Sequence, residues 1–140
     1  MATIFSRIIA GEIPGTFVWR DAECVAFMTI EPIRTGHTLV VPVQEIDHWI
    51  DLPGPLRDHL MSVSSQVARA IQEAFDPVRV GLMIAGLEVP HTHIHLVPIE
   101  AMRDLDFANA DSTATRDQLE EAAERIRQKL RSHGAAGVSS

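Results

Sequence analysis

Between Pro55 and Phe75 the apolar residues form one helical stripe, with Leu56, Leu60, Val63, Val67, Ile71 and Phe75 recurring every three or four positions. Pro53 and Pro55 open that stretch and Asp76-Pro77 closes it. Neither flank keeps the period. Before it come short β-rich runs at Phe17–Arg20, Cys24–Ile30 and His37–Val41, separated by turn residues; after it come Val78–Ile84 and Thr92–Pro98. A chain that changes period this way has one helix to lay against a sheet. The expectation is an α+β domain of about five antiparallel strands with one packed helix.

A second helix is expected after the polar stretch that follows Glu100. Thr115 and Gln118 have capping-box spacing, and Leu119, Ala122, Ala123, Ile126 and Leu130 form its stripe. The organisation is therefore a main unit at 1–100, a helical extension of the same domain at 101–133, and a frayed tail at 134–140. In 140 residues, 12 basic against 19 acidic side chains give a net charge of −7, which argues against a broad nucleic-acid-binding face. Cys24 is the one cysteine, so neither an internal disulfide nor a cysteine metal cage can form, and a reducing cytoplasmic setting is expected. No apolar run approaches the roughly 20 residues that cross a bilayer, so no membrane partner is expected.

Three of the seven histidines stand in alternation: His91-Thr92-His93-Ile94-His95. On a strand, alternate side chains share a face, so the three imidazoles line up while Thr92, Ile94 and Leu96 turn to the core. One reading is a bare polar face. A second is a metal site, but residues i and i+4 lie about 13 Å apart on a strand, which strains three-fold ligation of one ion and leaves a pair such as His93 and His95 with His37. A third is nucleophilic catalysis, because a neutral imidazole attacks well near its own pKa, and neighbouring imidazoles can fix its tautomer and hold a phosphate.

The run His91-Thr92-His93-Ile94-His95-Leu96-Val97 resembles the signature of the histidine triad family, in which histidine alternates with apolar residues. Ile4 to Pro14 resembles its opening segment, Cys24 to Pro32 its second strand, and Gly36-His37-Thr38-Leu39-Val40-Val41-Pro42 a further strand. The likeness spans about residues 3–100 and is strongest to the Hint-type branch. It implies a homodimeric nucleotide-binding hydrolase or nucleotidyl transferase. The substrate would be a purine nucleotide, AMP- or GMP-like, cut at the α-phosphate of a nucleoside phosphoramidate or dinucleoside polyphosphate. His93 would form the covalent nucleotidyl adduct. His91 would orient His93 through its backbone carbonyl, His95 would contact phosphate oxygens, and His37 would complete the cluster. Phe5, Ile8, Phe27 and Ile30 match the base slot. No cofactor and no metal are implied.

Several positions depart from the pattern. Thr3 and Ser6 stand where a Cys-x-x-Cys pair contributes to zinc binding in some members. Thr29 replaces the acidic residue that usually holds the ribose hydroxyls. Leu87 and Glu88 replace a glutamine and a small hydroxyl residue before the triad, near the leaving group. Glu88 is counted as a site residue that either repels phosphate or donates a proton. The alternative function is a non-catalytic module that binds a nucleotide or a protein, with the C-terminal helix as a candidate partner surface. The net charge counts every histidine as neutral; beside a bound phosphate, one or more of the four would be protonated.

Overall fold

A computed structural model describes residues 2–140. Its centre is a five-stranded antiparallel sheet made of β1 (Phe17–Arg20), β2 (Cys24–Met28), β3 (Thr38–Pro42), β4 (Arg79–Met83) and β5 (Ile94–Ile99). The spatial order is β1-β2-β3-β5-β4. Because β5 inserts between β3 and β4, Leu39 lies opposite His95, and Met83 flanks His95 from the other side. The α+β class expected from the periodicities is the one observed.

The apolar stripe becomes α2 (Gly54–Phe75), with Pro55 in its first turn, where a missing N–H costs nothing. Asp76 ends it in a left-handed conformation at φ 50°. Leu60, Val63, Val67 and Ile71 are fully buried against Cys24, Ala26, Val40, Ile94 and Leu96, which face one side of the sheet. The second helix, α3 (Arg116–Ser132), carries the Thr115–Gln118 capping box in both directions. It corrects the picture of a single packed helix with an appendage. Leu119, Ala122, Ala123, Ile126 and Leu130 enter the same core as α2, so two helices cover this face. Its charges turn outward, except that Arg127 is buried, held by Glu120 at 2.6 Å and donating to the Phe17 carbonyl at 2.8 Å.

The other face carries a smaller cluster of Phe5, Val25, Phe27, Leu39 and Val41. Phe5 reaches it from α1 (Ile4–Ile9), a short helix that the first fifteen residues did not announce through periodicity. Residues 134–140 are not frayed. Trp19 bridges to Val138, Arg20 N–H donates to the Gly137 carbonyl at 2.8 Å, and Ser139 N–H donates to the Val18 carbonyl at 3.0 Å. Trp19, an apolar ring on the outermost strand, gives the tail something to cover, which tail composition alone could not reveal. Gly137 lies flat on that ring, and a Cβ there would fall 2.2 Å from it.

Candidate active site

The histidine row is set partly outside the sheet. The strand expected from Thr92 begins only at Ile94, and His91 to His93 lie outside the sheet pairing, with a bend at His91. This stretch is fixed by other bonds: Thr92 N–H and its hydroxyl both donate to the Ile46 carbonyl at 2.7 Å. Ile94 and Leu96 do turn into the core, and His91, His93 and His95 are buried. The rings of His93 and His95 are 4.9 Å apart, and those of His95 and His37 are 5.2 Å apart.

The hydrogen bonds dictate the tautomers. Ile33 N–H donates to Nδ1 of His37 at 3.0 Å, so neutral His37 keeps its proton on Nε2. That proton points at Nδ1 of His95, 3.0 Å away, and His95 is left with an N–H on its free Nε2. His93 differs in sign. Its Nδ1 lies 2.7 Å from the His91 carbonyl, which only accepts, so Nδ1 carries the proton and Nε2 carries a free lone pair. Two adjacent imidazoles thus present opposite functions, a nucleophile at His93 and a donor at His95.

Burial keeps the cluster neutral in the free protein. It pushes His37 down to about 3, with the neighbouring His95 and His93 adding to the effect. It pushes His95 down to about 4, helped by His93. At His93 burial also lowers the pKa, opposed by the bond to the His91 carbonyl and by the negative charge of Glu88. At His37, His93 and His95 burial thus opposes the charge that the histidine count anticipates beside a bound phosphate.

His91 is held from both ends. Its Nε2–H donates to the Pro42 carbonyl at 2.7 Å, which leaves Nδ1 to accept from the Thr3 hydroxyl at 2.7 Å. Thr3 also caps α1, accepting from Ser6 N–H at 3.1 Å. Glu45 accepts from the Ser6 hydroxyl at 2.5 Å and from Thr3 N–H at 2.8 Å, and these bonds hold its carboxyl below the usual range.

Phe5 packs edge-on against His93, with ring centroids 4.9 Å apart, and forms one wall of a cleft of about 310 Å³. Ile8, Phe27, Thr29 and Ile30 line the same cleft, so five of the six sequence-selected binding positions meet there. Glu88 does not line it. It is exposed in the loop before His91, beside Leu87, which is 93% exposed.

These features have known counterparts. The family model described as HIT domain matches residues 10–102. The chain belongs to the HIT domain family. It is 34% identical over 100 residues to protein hit of Bacillus subtilis, covering 68% of this chain and 69% of that one. It is 31% identical over 98 residues to adenosine 5′-monophosphoramidase of Saccharomyces cerevisiae, covering 69% of this chain and 62% of the yeast protein. Among solved structures, a Hit-like protein involved in cell-cycle regulation from Bartonella henselae superposes with a TM-score of 0.82 at 28% identity, over 91% of this chain and 96% of that one. A zinc-bound histidine triad family protein from Mycobacterium smegmatis also gives 0.82, at 25% identity over 97% and 98%.

Within this HIT domain, the Thr3, Ser6, Glu45 and His91 group is poorly suited to zinc. Two neutral hydroxyls are weak ligands, and the imidazole nitrogen facing them already accepts the Thr3 proton. Asp21, Cys24 and His59 form another potential donor group, their atoms within 4.8 Å of one another. Asp21 is engaged there by Trp19, by Glu23 and Cys24 N–H, and by His59. Burial would raise its pKa, but these bonds more than offset that and hold it at about 2. Burial pushes the Cys24 thiol up, and the 2.8 Å bond between His59 and Asp21 pins the β1–β2 turn to α2.

Three contributors escaped the sequence reading. Thr3 carries a flag only as a missing cysteine. Phe107 packs edge-on against His95 with centroids 5.0 Å apart, brought there by a segment tied down through Arg34–Asp104 at 3.0 Å. Arg116, at the start of α3, lines the apolar cleft. Phe107 and Arg116 come from the part of the chain beyond the family match, where no motif marks them.

Proposed function

We propose that this HIT domain is a nucleotide-binding hydrolase or nucleotidyl transferase acting on the α-phosphate of a nucleoside phosphoramidate or dinucleoside polyphosphate. The observation that carries the reading is the bond from His93 Nδ1 to the His91 carbonyl, which fixes the lone pair on Nε2 at a buried site beside an N–H donor. Nε2 of His93 attacks the α-phosphorus, the bond to the leaving nitrogen or oxygen breaks, and the leaving group takes up a proton from solvent. The Nε2–H of His95, aligned by His37, bonds a phosphate oxygen as charge builds. Water then attacks the phosphorus, the P–N bond to His93 breaks, and the nucleoside monophosphate departs. The purine ring occupies the slot of Phe5, Ile8, Phe27 and Ile30. Glu88 lies in the exposed loop before His91, and its charge only partly opposes the lowering of the His93 pKa by burial.

The yeast relative's monophosphoramidase activity supports adenosine phosphoramidates as the first substrates to try. A nucleotidyl adduct on His93, detected by mass and absent in His93→Ala, is the expected result. No adduct and no binding of any purine nucleotide would sink the reading. One observation favours a second reading, a module that binds without turnover: the loop before the triad offers the exposed apolar side chain of Leu87 in place of a donor. Measurable affinity with no turnover would select it.

A homodimer through β4 belongs to the same proposal. That strand ends the sheet order, with Val78 beside it and Leu82 on it 67% and 44% exposed. Light scattering at twice the monomer mass is the expected outcome. No helix among the described residues is long and apolar enough to cross a membrane. The single buried thiol fits a reducing cytoplasmic setting.

A further inference from the structure

The cleft beside His93 has an unusual polarity. Its walls are apolar, chiefly Phe5, Ile8, Phe27 and Leu39, as a flat ring requires. Its polar lining side chains are Thr16, Thr29 and Arg116, and among the described residues no carboxylate lines it. An unmodified sugar diol is best held by an acceptor, because each hydroxyl has a proton to give. This rim supplies the reverse. The Thr29 oxygen accepts from Glu31 N–H at 3.2 Å, and its hydroxyl proton remains free to donate to a ligand. Arg116 has only donors, and among the described residues it enters none of the chain's ion pairs. Seven of the eleven arginines enter no ion pair among the described residues, and Arg116 is the one of them that lines this cleft, where its guanidinium can meet an anion.

We propose that the cleft takes a nucleotide whose sugar bears a second phosphate, at the 2′ or 3′ position, held by Arg116 and the Thr29 hydroxyl. This rests on the nucleotide reading given above. The base fills the slot, the 5′-phosphate meets His93 and His95, and the second phosphate sits at the donor rim. Phe5 belongs to both the slot and the histidine row, so one ligand spans both ends. A guanidinium suits this task because its fork matches two phosphate oxygens at once. The same exchange of an acidic residue for an arginine separates dinucleotide sites that hold a free 2′-hydroxyl from those that hold a 2′-phosphate.

The test is calorimetric titration with the 5′-monophosphate, 2′,5′-bisphosphate and 3′,5′-bisphosphate of adenosine and of guanosine. Wild type, Arg116→Gln and Thr29→Val are compared after thermal unfolding confirms that each is folded. One bisphosphate is expected to bind about tenfold tighter than its monophosphate at low salt, which corresponds to one oriented charge-assisted contact. That advantage should fall to about twofold or less in Arg116→Gln, fall partly in Thr29→Val, and shrink as salt rises. Which bisphosphate gains identifies the sugar position. Equal affinity for mono- and bisphosphates in wild type overturns the proposal and leaves the nucleotide reading standing. An advantage that persists in Arg116→Gln overturns the assignment to Arg116. Failure of all six ligands to bind removes the nucleotide reading itself, and this inference with it.

Discussion

The two faces of the sheet are built on different rules. Under α2 and α3, residues such as Leu60, Ile71, Ile126 and Leu130 are interchangeable in kind, and what matters is filled volume. On the opposite face, His37, His91, His93 and His95 are each fixed by named donors and acceptors, so that proton position matters as much as volume. The contrast teaches that stability and chemistry are separately encoded on one sheet. Variants should divide along that line.

The largest expected effect is on chemistry. His93→Ala should abolish the nucleotidyl adduct and slow substrate turnover by about 10⁴-fold or more in single-turnover assays, because no other aligned lone pair replaces Nε2. Its urea unfolding should shift less than that of the next variant. Leu60→Ala, on the helical face, should lose about 2–5 kcal/mol of unfolding free energy and still form adduct in whatever fraction stays folded. If Leu60→Ala instead abolished chemistry in a folded protein, the separation of faces would be wrong.

Acid sharpens the same contrast. A buried imidazole whose pKa lies below its unfolded value binds fewer protons than the unfolded chain between those two values. Stability therefore falls as pH drops below about 6.5 and continues to fall down to about 3, through His37 and His95. Asp21, depressed to about 2, adds loss only below the ordinary carboxylate pKa near 4. Melting temperatures from pH 7 to 4 should decline, and His37→Asn should flatten that slope throughout the range below about 6.5.

Smaller effects follow at the edges of the two regions. Thr3→Val keeps shape but removes the hydroxyl that both caps α1 and bonds His91. About 1 kcal/mol of stability should go, with about a tenfold slower adduct step if the tautomer of His91 matters to His93. On the outer face of α3, Arg131→Ala breaks the 2.6 Å pair with Glu124. Both groups are well exposed, so the expected change is under about 0.5 kcal/mol in the same unfolding assay.

The α+β architecture and the histidine run were legible because both are local patterns, a 3.6-residue stripe and a two-residue alternation. The cleft residues Phe5, Ile8, Phe27, Thr29 and Ile30 were reachable only through resemblance, since on periodicity alone they read as packing. The start of β5 was misplaced by two residues because Thr92 bonds the Ile46 loop, a long-range partner that no strand propensity encodes. The tail was expected to fray for a similar reason. Val138 gains its value only against Trp19, which is more than a hundred positions away. Phe107 and Arg116 carry no local signal; a turn and a helix start deliver them to the site.

The docked tail also limits how the sheet can extend. With Gly137 to Ser139 bonded along β1, one side of the sheet has already spent its backbone groups, and β4 at the far side keeps its outer edge open. A sheet with a single open edge accepts one partner strand and then stops. Joined edge to edge with its own copy, such a chain makes a closed pair with no further place to add, whereas two open edges would permit a growing fibre. Residues 137–139 thus cover the outer backbone groups of β1 on the side of the sheet away from β4.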